Sequence, residues 1–257
     1  MNLALSSYSL RDHINRDIPI DAFPAYARET FGLDAVEICQ FHILRNDSIR
    51  LQSLKDGLTN AGVSLVSVPI DRGHISQPDA AKRDYDLRII ELWLDAAAFL
   101  GAPIARVNSG DGDFQTAVDS YERLTVYGGN IGVQVVMENH GGLSANPDSA
   151  AALLAAVPAL GTAPDWGNFS ESERYEFLAR MAPRAAIVHA KTVDFDADGQ
   201  MSAFDIARCA RIVRDSGFTG PYSVEFEGNG DQIDGGAPIH PAPARASRLM
   251  ARNVYHA

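Results

Sequence analysis

Short apolar segments rich in β-forming residues alternate with helical patterns from end to end of this 257-residue chain. Eight of these segments predict strands, and they cover residues 2–6, 34–39, 63–69, 104–108, 133–138, 161–165, 185–190 and 221–226. Strands that alternate with helices pair in parallel. Eight β-then-α units in about 250 residues have the size of a (β/α)8 TIM barrel. We therefore predict an α/β protein with a single barrel domain over residues 1–257.

Apolar side chains spaced three and four residues apart indicate the helices between the strands. The clearest patterns cover residues 47–61, 84–100 and 203–216. Residue types that cap helices predict helix starts at Asn46 or Asp47, at Asp79 and at Ser202. The paired glycines of "TVYGGNIGV", Gly128 and Gly129, predict a shortened fourth helix. A doubly wound sheet is the alternative fold, but it favours a glycine-rich turn after an early strand, and "LALSSYSLRD" has none.

Composition and charge narrow the classes of function. The net charge is −11, from 22 basic and 33 acidic residues, which argues against a nucleic-acid partner. The stretch "MNLALSSYSLRDH" has no basic leader, and no segment reaches membrane-spanning length. Cys39 and Cys209 form no metal or disulfide pattern, and Cys209 falls on an apolar helical stripe, as a core thiol does. We expect a cytoplasmic protein with a small-molecule partner and no membrane partner, and a homo-oligomer stays open.

Four consecutive predicted strands end on side chains of the types that bind metal ions. The segments "VVMENHGG", "APDWGNF", "AAIVHAK" and "YSVEFEG" carry Glu138, Asp165, His189 and Glu225. The carboxyl ends of barrel strands face one common mouth, so we expect these four side chains to converge. Each residue alone has an ordinary explanation, because an acid at a strand end often caps a helix and a buried histidine is often a core residue.

Three carboxylates and an imidazole held together repel one another unless protons or a cation compensate their charge. A divalent ion does so, and a site rich in oxygen ligands favours Mn²⁺, Mg²⁺ or Co²⁺ over a structural zinc. Four protein ligands leave an octahedral ion two positions for a hydroxyl and a neighbouring carbonyl of a substrate. We therefore predict one bound divalent ion, with manganese as the first choice.

Five motifs are similar to those of a known family, namely "GLDAVEI", "ENHGG", "DWGNF", "HAK" and "VEFEG" on the second, fifth, sixth, seventh and eighth strands. The chain resembles the xylose-isomerase-like TIM barrels, the sugar phosphate isomerase/epimerase superfamily, over nearly its whole length. That superfamily includes ketose 3-epimerases, hydroxypyruvate isomerase, two kinds of dehydratase and endonuclease IV. The resemblance implies four metal ligands: Glu138, Asp165, His189 and Glu225. It also implies that Glu138 and Glu225 are catalytic and move protons at the substrate carbon.

Three positions separate this chain from the ketose 3-epimerases that it resembles. Those enzymes place a histidine three residues after the sixth-strand aspartate, where this chain has Asn168. They place an arginine six residues after the metal histidine, where this chain has Phe195. Lys191, two residues after His189, is more similar to the pattern of the inosose and dehydroshikimate dehydratases.

Six further residues are candidates for substrate binding near the mouth, and they are Glu37, His74, His140, Trp166, Asn168 and Lys191. Several have a structural alternative. The alternative for Glu37 is a buried hydrogen-bonded acid, and the alternative for Trp166 is packing under the rim. His74 is as easily a bystander as a participant. The alternative for Lys191 is an ion pair with Asp165 or Glu225.

The substrate expected from these patterns is a polyol, keto-sugar or keto-cyclitol without phosphate. Residues 228–236 are rich in glycine, as phosphate sites of barrels are, but Asp231 and Asp234 would repel a phosphate. We expect proton removal beside a carbonyl through a metal-stabilised enediolate. Return of the proton on the opposite face or the next carbon gives an isomerase or epimerase of carbohydrate metabolism, the function we favour. Expulsion of a β-hydroxyl instead gives a lyase, a dehydratase of a keto-cyclitol or dehydroshikimate-like substrate.

Two other classes remain as more distant alternatives. A hydrolase similar to endonuclease IV would need a cluster of several metals with more histidines than the seven of this chain, and a basic face for DNA. A non-catalytic sugar-binding barrel would bind the metal without turnover.

Overall fold

The computed structural model describes residues 3–193 and 201–228. In this part of the chain, eight strands occur near the predicted positions. They are β1 (Leu3–Ser6), β2 (Ala35–Glu37), β3 (Ser64–Ile70), β4 (Ile104–Val107), β5 (Gln134–Glu138), β6 (Gly161–Ala163), β7 (Val188–Thr192) and β8 (Tyr222–Phe226). Every neighbouring pair is parallel, and the order in the sheet is β6-β5-β4-β3-β2-β1-β8-β7.

The two end strands of this sheet nearly close it into a barrel. Parallel bridges join Thr162 to Ala185 and Asp165 to His189. Eight parallel strands with interspersed helices therefore form a single-domain (β/α)8 barrel, and the predicted fold class is confirmed. The prediction that the domain spans residues 1–257 stays a prediction, because the described residues end at Gly228.

For β6 and β7 the difference from the predicted bounds changes where a candidate ligand lies in its strand. β6 ends at Ala163, so Asp165 lies two residues beyond the strand, where its bridge to His189 holds it. β7 covers Val188–Thr192 and not residues 185–190, because it pairs with β8 over that whole length. His189 is therefore the second residue of its strand, and the prediction that it ends the strand is wrong.

Helices follow the strands around the outside of the barrel. In the described residues they are α1 (Phe23–Phe31), α2 (Gln40–Ile43), α3 (Ser48–Ala61), α4 (Ala80–Leu100), α5 (Phe114–Asn130), α6 (Pro147–Ala156), α7 (Arg174–Met181) and α8 (Ile206–Asp215). Asp47 and Asp79 cap α3 and α4, as predicted. Asp205 caps α8 in place of Ser202, because its carboxylate accepts the amide of Arg208 at 2.8 Å. None of these helices has the length and apolar character that crossing a membrane requires.

The fourth predicted helix is not shortened. α5 has 17 residues and runs through Gly128 and Gly129. A Cβ at Gly128 would lie 2.5 Å from the carbonyl oxygen of Val133, so the glycine allows the helix to touch the chain that enters β5. The helical cost of a glycine, about 1 kcal/mol relative to alanine, is offset by this close packing.

Alternate residues of each strand face either the surrounding helices or the barrel interior. The outward residues form the large core with the helices, and Cys209 of α8 is fully buried there, as predicted. The inward residues form a second, smaller apolar cluster. We call it the lower layer, and its members are Ala4, Ala35, Val66, Ile104, Val136, Ala163 and Ile187. It forms an apolar floor beneath the site described next.

Candidate metal centre and active site

Charged side chains occupy the inward positions directly above the lower layer. Five pairs lie two residues apart in the chain, and they are Ala35 and Glu37, Ile104 and Arg106, Val136 and Glu138, Ala163 and Asp165, and Ile187 and His189. A strand has a period of two residues, so both members of each pair face inward. Lys191 and Glu225 lie opposite each other one step higher. We call these residues the upper layer: Glu37, Arg106, Glu138, Asp165, His189, Lys191 and Glu225.

The four residues predicted to bind a metal converge in the upper layer. Glu138, Asp165, His189 and Glu225 each offer one nitrogen or oxygen atom, and these atoms all lie within 4.8 Å of one another. The first three residues are buried, and Glu225 is partly exposed. This set could hold a metal ion. That it does so stays a prediction.

His189 lies between two carboxylates. Its Nδ1 is 2.9 Å from Glu138 Oε1, and its Nε2 is 3.1 Å from Glu37 Oε2. Burial alone lowers the pKa of His189, but Glu37 and then Glu138 outweigh burial and raise this pKa well above its usual value. Glu37 also accepts a 2.8 Å hydrogen bond from Ser223, so its carboxylate fixes the orientation of the ring. A histidine that binds a metal commonly gives its second nitrogen to such a carboxylate.

Arg106 holds the other oxygen of Glu138. Arg106 Nε lies 3.0 Å from Glu138 Oε2, as an ion pair that lacks good hydrogen-bond geometry. Nη1 of the same guanidinium donates to Asp71, which follows β3. Burial alone raises the pKa of Glu138, but His189 and then Arg106 outweigh it and hold this pKa below its usual value. Glu138 is therefore a carboxylate at neutral pH.

Asp165 is fixed by its backbone and by one of its two carboxylate oxygens. The Asn139 side chain donates to the carbonyl of Asp165 and accepts from its amide, both at 2.8 Å. Oδ1 accepts the amide of Gly167 at 2.7 Å. Oδ2 accepts no hydrogen bond of good geometry and lies 3.0 Å from Lys191 Nζ as an ion pair. This buried oxygen therefore faces one cation, the Lys191 ammonium, without a hydrogen bond of good geometry.

Glu225 differs from the other carboxylates of the upper layer. Among the described residues, none gives its carboxylate a hydrogen bond or a close ion pair. Burial raises the pKa of Glu225 to about 8, Asp165 adds to the rise, and Lys191 opposes it. A carboxyl group with this pKa exchanges protons readily near neutral pH.

The donor set fits a hard divalent cation. Three carboxylates and one imidazole suit Mn²⁺, Mg²⁺ or Co²⁺. The positive charge of such an ion compensates the repulsion between Glu138, Asp165 and Glu225, which are held together by the fold. The outer carboxylate of Glu37 supplies the support that a metal-binding histidine needs.

A cavity of about 340 Å³ opens above the upper layer. Sites for small molecules measure roughly 300–1,000 Å³, so this cavity suits a small ligand. Four of the residues predicted to bind substrate line it, and they are Glu37, His140, Asn168 and Lys191. Asn168 Oδ1 accepts a 2.7 Å hydrogen bond from Lys191 Nζ, and His140 is exposed.

The other two predicted substrate-binding residues, His74 and Trp166, do not line this cavity. His74 Nε2 lies 3.1 Å from Asp111 and 3.2 Å from the hydroxyl of Ser76. Trp166 is fully buried, and its Nε1 donates to the backbone carbonyl of Lys191 at 2.8 Å, so it packs under the rim. A substrate contact by either residue stays a prediction.

Two predictions on the chain after β7 lie outside the described residues. They concern Phe195 and residues 229–236 of the glycine-rich segment.

Four polar residues of the site were not predicted from the sequence, and they are Asp71, Arg106, Asn139 and Glu227. Glu227 lies 2.8 Å from Lys191 Nζ, beyond the end of β8. The sequence could have predicted a role for Arg106, because a charged residue inside a buried apolar strand must have a partner within the barrel or among the helices. No sequence pattern distinguishes Asp71, because an acid after a strand is commonly a loop residue.

Comparison with known proteins gives one family match by sequence. The model of the family described as xylose isomerase-like TIM barrel matches residues 24–252. No curated protein matches the chain in a sequence search.

Several solved structures have a similar fold. One is a xylose isomerase-like TIM barrel protein from Mycobacterium smegmatis in complex with magnesium, with 18% identity, coverage of 99% of this chain and 97% of that one, and a TM-score of 0.74. A second is D-psicose 3-epimerase with D-tagatose from Clostridium cellulolyticum H10, with 15% identity, 99% coverage of both chains and a TM-score of 0.74. A third is 3-keto-D-glucoside 4-epimerase from E. coli in its apo form, with 17% identity, coverage of 98% and 99%, and a TM-score of 0.75. At such identities the likeness shows the fold alone.

Proposed function

Since the chain belongs to the family of xylose isomerase-like TIM barrels, we propose that it is a metal-dependent isomerase or epimerase of a keto-sugar or related polyol. One observation carries the proposal. Glu138, Asp165, His189 and Glu225 place their ligand atoms within 4.8 Å of one another, directly above an apolar floor. The magnesium complex and the two sugar epimerases among the similar structures support the same class.

Glu138, Asp165, His189 and Glu225 hold one divalent ion in this proposal. His189 uses Nδ1, because Glu37 holds its Nε2. Mn²⁺ is the proposed ion, with Mg²⁺ and Co²⁺ as alternatives for this donor set. When bound, such an ion polarises a carbonyl oxygen of the substrate and makes the neighbouring C–H bond more acidic.

The two glutamates transfer the proton in this proposal, with different first roles. Glu225 has no close partner for its carboxylate among the described residues, so we assign it the first transfer, as the base that removes the proton. Glu138 is held by Arg106 on one oxygen and by His189 on the other. We assign it the second transfer, on the opposite side of the reacting carbon.

The cavity wall orients the substrate. Lys191, Asn168 and His140 present an ammonium, an amide and an imidazole that can bind substrate hydroxyl and carbonyl oxygens. Tyr8 and Phe41 lie edge to face with ring centroids 6.3 Å apart, and both line the cavity. They give the wall an apolar part that can pack against the C–H groups of a sugar.

The charge of the wall favours a substrate without phosphate. Six carboxylates lie in the wall or directly behind it, and they are Glu37, Asp71, Glu138, Asp165, Glu225 and Glu227. Within the part of the chain that the structure describes, two permanent cations face them, and both are paired. Arg106 binds Asp71 and Glu138, and Lys191 binds Asp165 and Glu227. A phosphate would meet negative charge and no unpaired cation among the described residues, so we propose an uncharged carbohydrate.

A dehydratase is the second candidate function, and the position of Lys191 favours it. Its ammonium lies in the cavity wall, 2.7 Å from Asn168 Oδ1. After Glu225 has removed the proton beside the carbonyl, a hydroxyl on the next carbon can leave with a proton from Lys191, as water. The electron pair of the C–H bond then becomes the new C=C bond, and the two readings share their first step.

Deuterium exchange tests that shared step. Protein supplied with Mn²⁺ in deuterated water should exchange one hydrogen beside the carbonyl of a keto-sugar, in a panel of unphosphorylated ketoses and keto-cyclitols. Glu225→Gln should lower exchange by at least about 10²-fold, the usual scale for a positioned general base. Glu122→Gln, the same change at an exposed position of α5, is the matched control and should not differ from wild type.

The products separate the two candidates in the same experiment. Conserved mass identifies an isomerase or epimerase, and the absorbance of an unsaturated ketone identifies a dehydratase. Full exchange by Glu225→Gln would overturn the assignment of the base, and a protein that binds sugar without any exchange would be a non-catalytic barrel.

A further inference from the structure

Lys191 is the one lysine in the upper layer, and it lies against a carboxylate that we assign to the metal. Its Nζ is 3.0 Å from Asp165 Oδ2, 2.8 Å from Glu227 Oε2 and 2.7 Å from Asn168 Oδ1. The lysine side chain is 6% exposed, so little water shields these contacts. The ammonium therefore interacts with one buried acid of the site and one acid near its mouth at the same time.

The two acids differ in how far they are enclosed. The Asp165 side chain is fully buried, whereas the Glu227 side chain is 34% exposed. A small rotation of the side chain that keeps the contact with Glu227 would take Nζ away from Asp165 Oδ2 and leave the ammonium paired. Two cations within reach of one carboxylate oxygen repel each other, so an ion on Asp165 and an ammonium at 3.0 Å from it compete.

Trp166 holds the backbone of Lys191, and Gly167 packs directly against its aliphatic stem. The backbone carbonyl of Lys191 accepts a 2.8 Å hydrogen bond from Trp166 Nε1. A Cβ on Gly167 would lie 2.4 Å from Lys191 Cδ and 2.7 Å from its Cγ, so only glycine leaves space for the stem at this place. Gly167 therefore lets the stem of Lys191 pass on its way to Asp165 and the cavity wall.

We propose that Lys191 is a positioning residue that competes with the metal for Asp165, and that Glu227 is the acceptor that takes the ammonium when the ion binds. This inference rests on the proposed function, because it requires Asp165 to be a metal ligand. The pair then sets the affinity for the ion, and Glu227 keeps the ammonium in the cavity wall when the ion is in place.

Ion binding to chelator-treated protein, measured by calorimetry with Mn²⁺, tests this inference without reference to activity. Lys191→Met removes the competitor and should tighten Mn²⁺ binding by about 10-fold or more, because the charges lie close together in a buried site. Lys191→Arg keeps the charge and should not tighten binding. Lys82→Met removes the same charge from an exposed position of α4 and should leave the affinity unchanged.

Glu227→Gln should act in the opposite direction. Without its second acceptor, Lys191 stays on Asp165, and Mn²⁺ should bind more weakly than to wild type by about 5-fold or more, on the scale of coupled neighbouring charges. In the double variant Lys191→Met, Glu227→Gln most of this loss should disappear, because Glu227 acts through the lysine. If Glu227→Gln weakened Mn²⁺ binding equally with and without Lys191, Glu227 would only attract cations in general. Its role as acceptor for Lys191 would then be overturned.

The outcomes separate this inference from the function on which it rests. If wild type binds Mn²⁺ and Lys191→Met binds it equally or more weakly, the competition is refuted and the metal site stands. If neither protein binds Mn²⁺, the metal site itself is wrong, and Lys191 is a structural ion-pair partner of Asp165. If Lys191→Met does not fold, Lys191→Gln and the Glu227→Gln measurement decide the question.

Discussion

The lower and upper layers of the barrel interior are built by the same strands, two residues apart, and they have opposite chemistry. Val136 packs among apolar neighbours, and Glu138 above it binds Arg106 and His189. Ile104 lies below Arg106 in the same way. The lower layer is stable by burial alone, whereas the upper layer depends on charges that compensate one another. The apolar lower layer therefore supports a charged upper layer whose four converging residues could hold a metal ion.

Placing a charge in the lower layer should have the largest effect. Val136→Asp would bury a carboxylate among Ala35, Ile104 and Ala163 without a counter-charge. We expect a loss of about 4 kcal/mol or more in the free energy of unfolding, a large part of the total stability. Thermal or urea denaturation measures it. Val126→Asp, the same change at an exposed site, is the control and should be nearly neutral, and a stable Val136→Asp protein would remove the contrast between the layers.

Removing the Arg106 guanidinium from the upper layer should cost somewhat less free energy of unfolding. Arg106→Met leaves Asp71 and Glu138 without their shared partner, and breaking a buried ion pair costs about 3–5 kcal/mol. Added Mn²⁺ should restore part of this stability, because it compensates Glu138. Arg123→Met is the matched control, since Arg123 pairs with two acids at a 37% exposed position, and it should cost about 1 kcal/mol or less. Equal losses in the two variants would mean that the upper layer is no more dependent on its charges than the surface is.

Removing or supplying the ion should shift stability through the upper layer alone. At a free Mn²⁺ concentration 100 times the dissociation constant, linkage predicts about 2.7 kcal/mol of stabilisation over chelator-treated protein. For a chain of this length that amounts to roughly 5–10 °C in melting temperature. Asp165→Asn should lose most of the shift. A shift of the same size in Asp165→Asn and in wild type would place the ion elsewhere.

A small change in the lower layer should have the smallest effect and should not reach the site. Ile104→Val removes one buried methylene and should cost about 1 kcal/mol in the free energy of unfolding. Ile104 belongs to the lower layer and has none of the polar partners of Arg106 above it. The Mn²⁺ affinity and the rate of exchange should therefore stay within about twofold, the scale of an uncoupled site. A large loss of Mn²⁺ affinity in this variant would show that the two layers are coupled.

The sequence predicts most of the fold because apolar patterns fix where strands and helices occur. All eight strands lie near their predicted positions, and the ring of four candidate ligands converges. The errors lie where tertiary contacts decide. The sequence predicts that Gly128 interrupts its helix, but the missing Cβ allows α5 to touch Val133. β7 begins at Val188 because β8 pairs with it there, which no local pattern reveals.

The partners of the ring were harder to predict than the ring itself. Arg106 stands in an apolar strand, and only the shared period of β4 and β5 brings it to Glu138. Asp71 and Glu227 follow strands, where acids are common for other reasons. Side chains that converge at one end of the barrel can be predicted from the strand ends. Their charged partners cannot, because these depend on the register between neighbouring strands.

Ion binding by the ring tests the central claim most directly. Calorimetry and elemental analysis of purified protein should give about one divalent ion per chain, as four converging protein ligands predict. Asp165→Asn and His189→Ala should lose most of that binding, while Ile104→Val should keep it. A protein that binds no divalent ion, or that binds it undiminished in both ligand variants, would contradict the assignment of Glu138, Asp165, His189 and Glu225 as a metal centre.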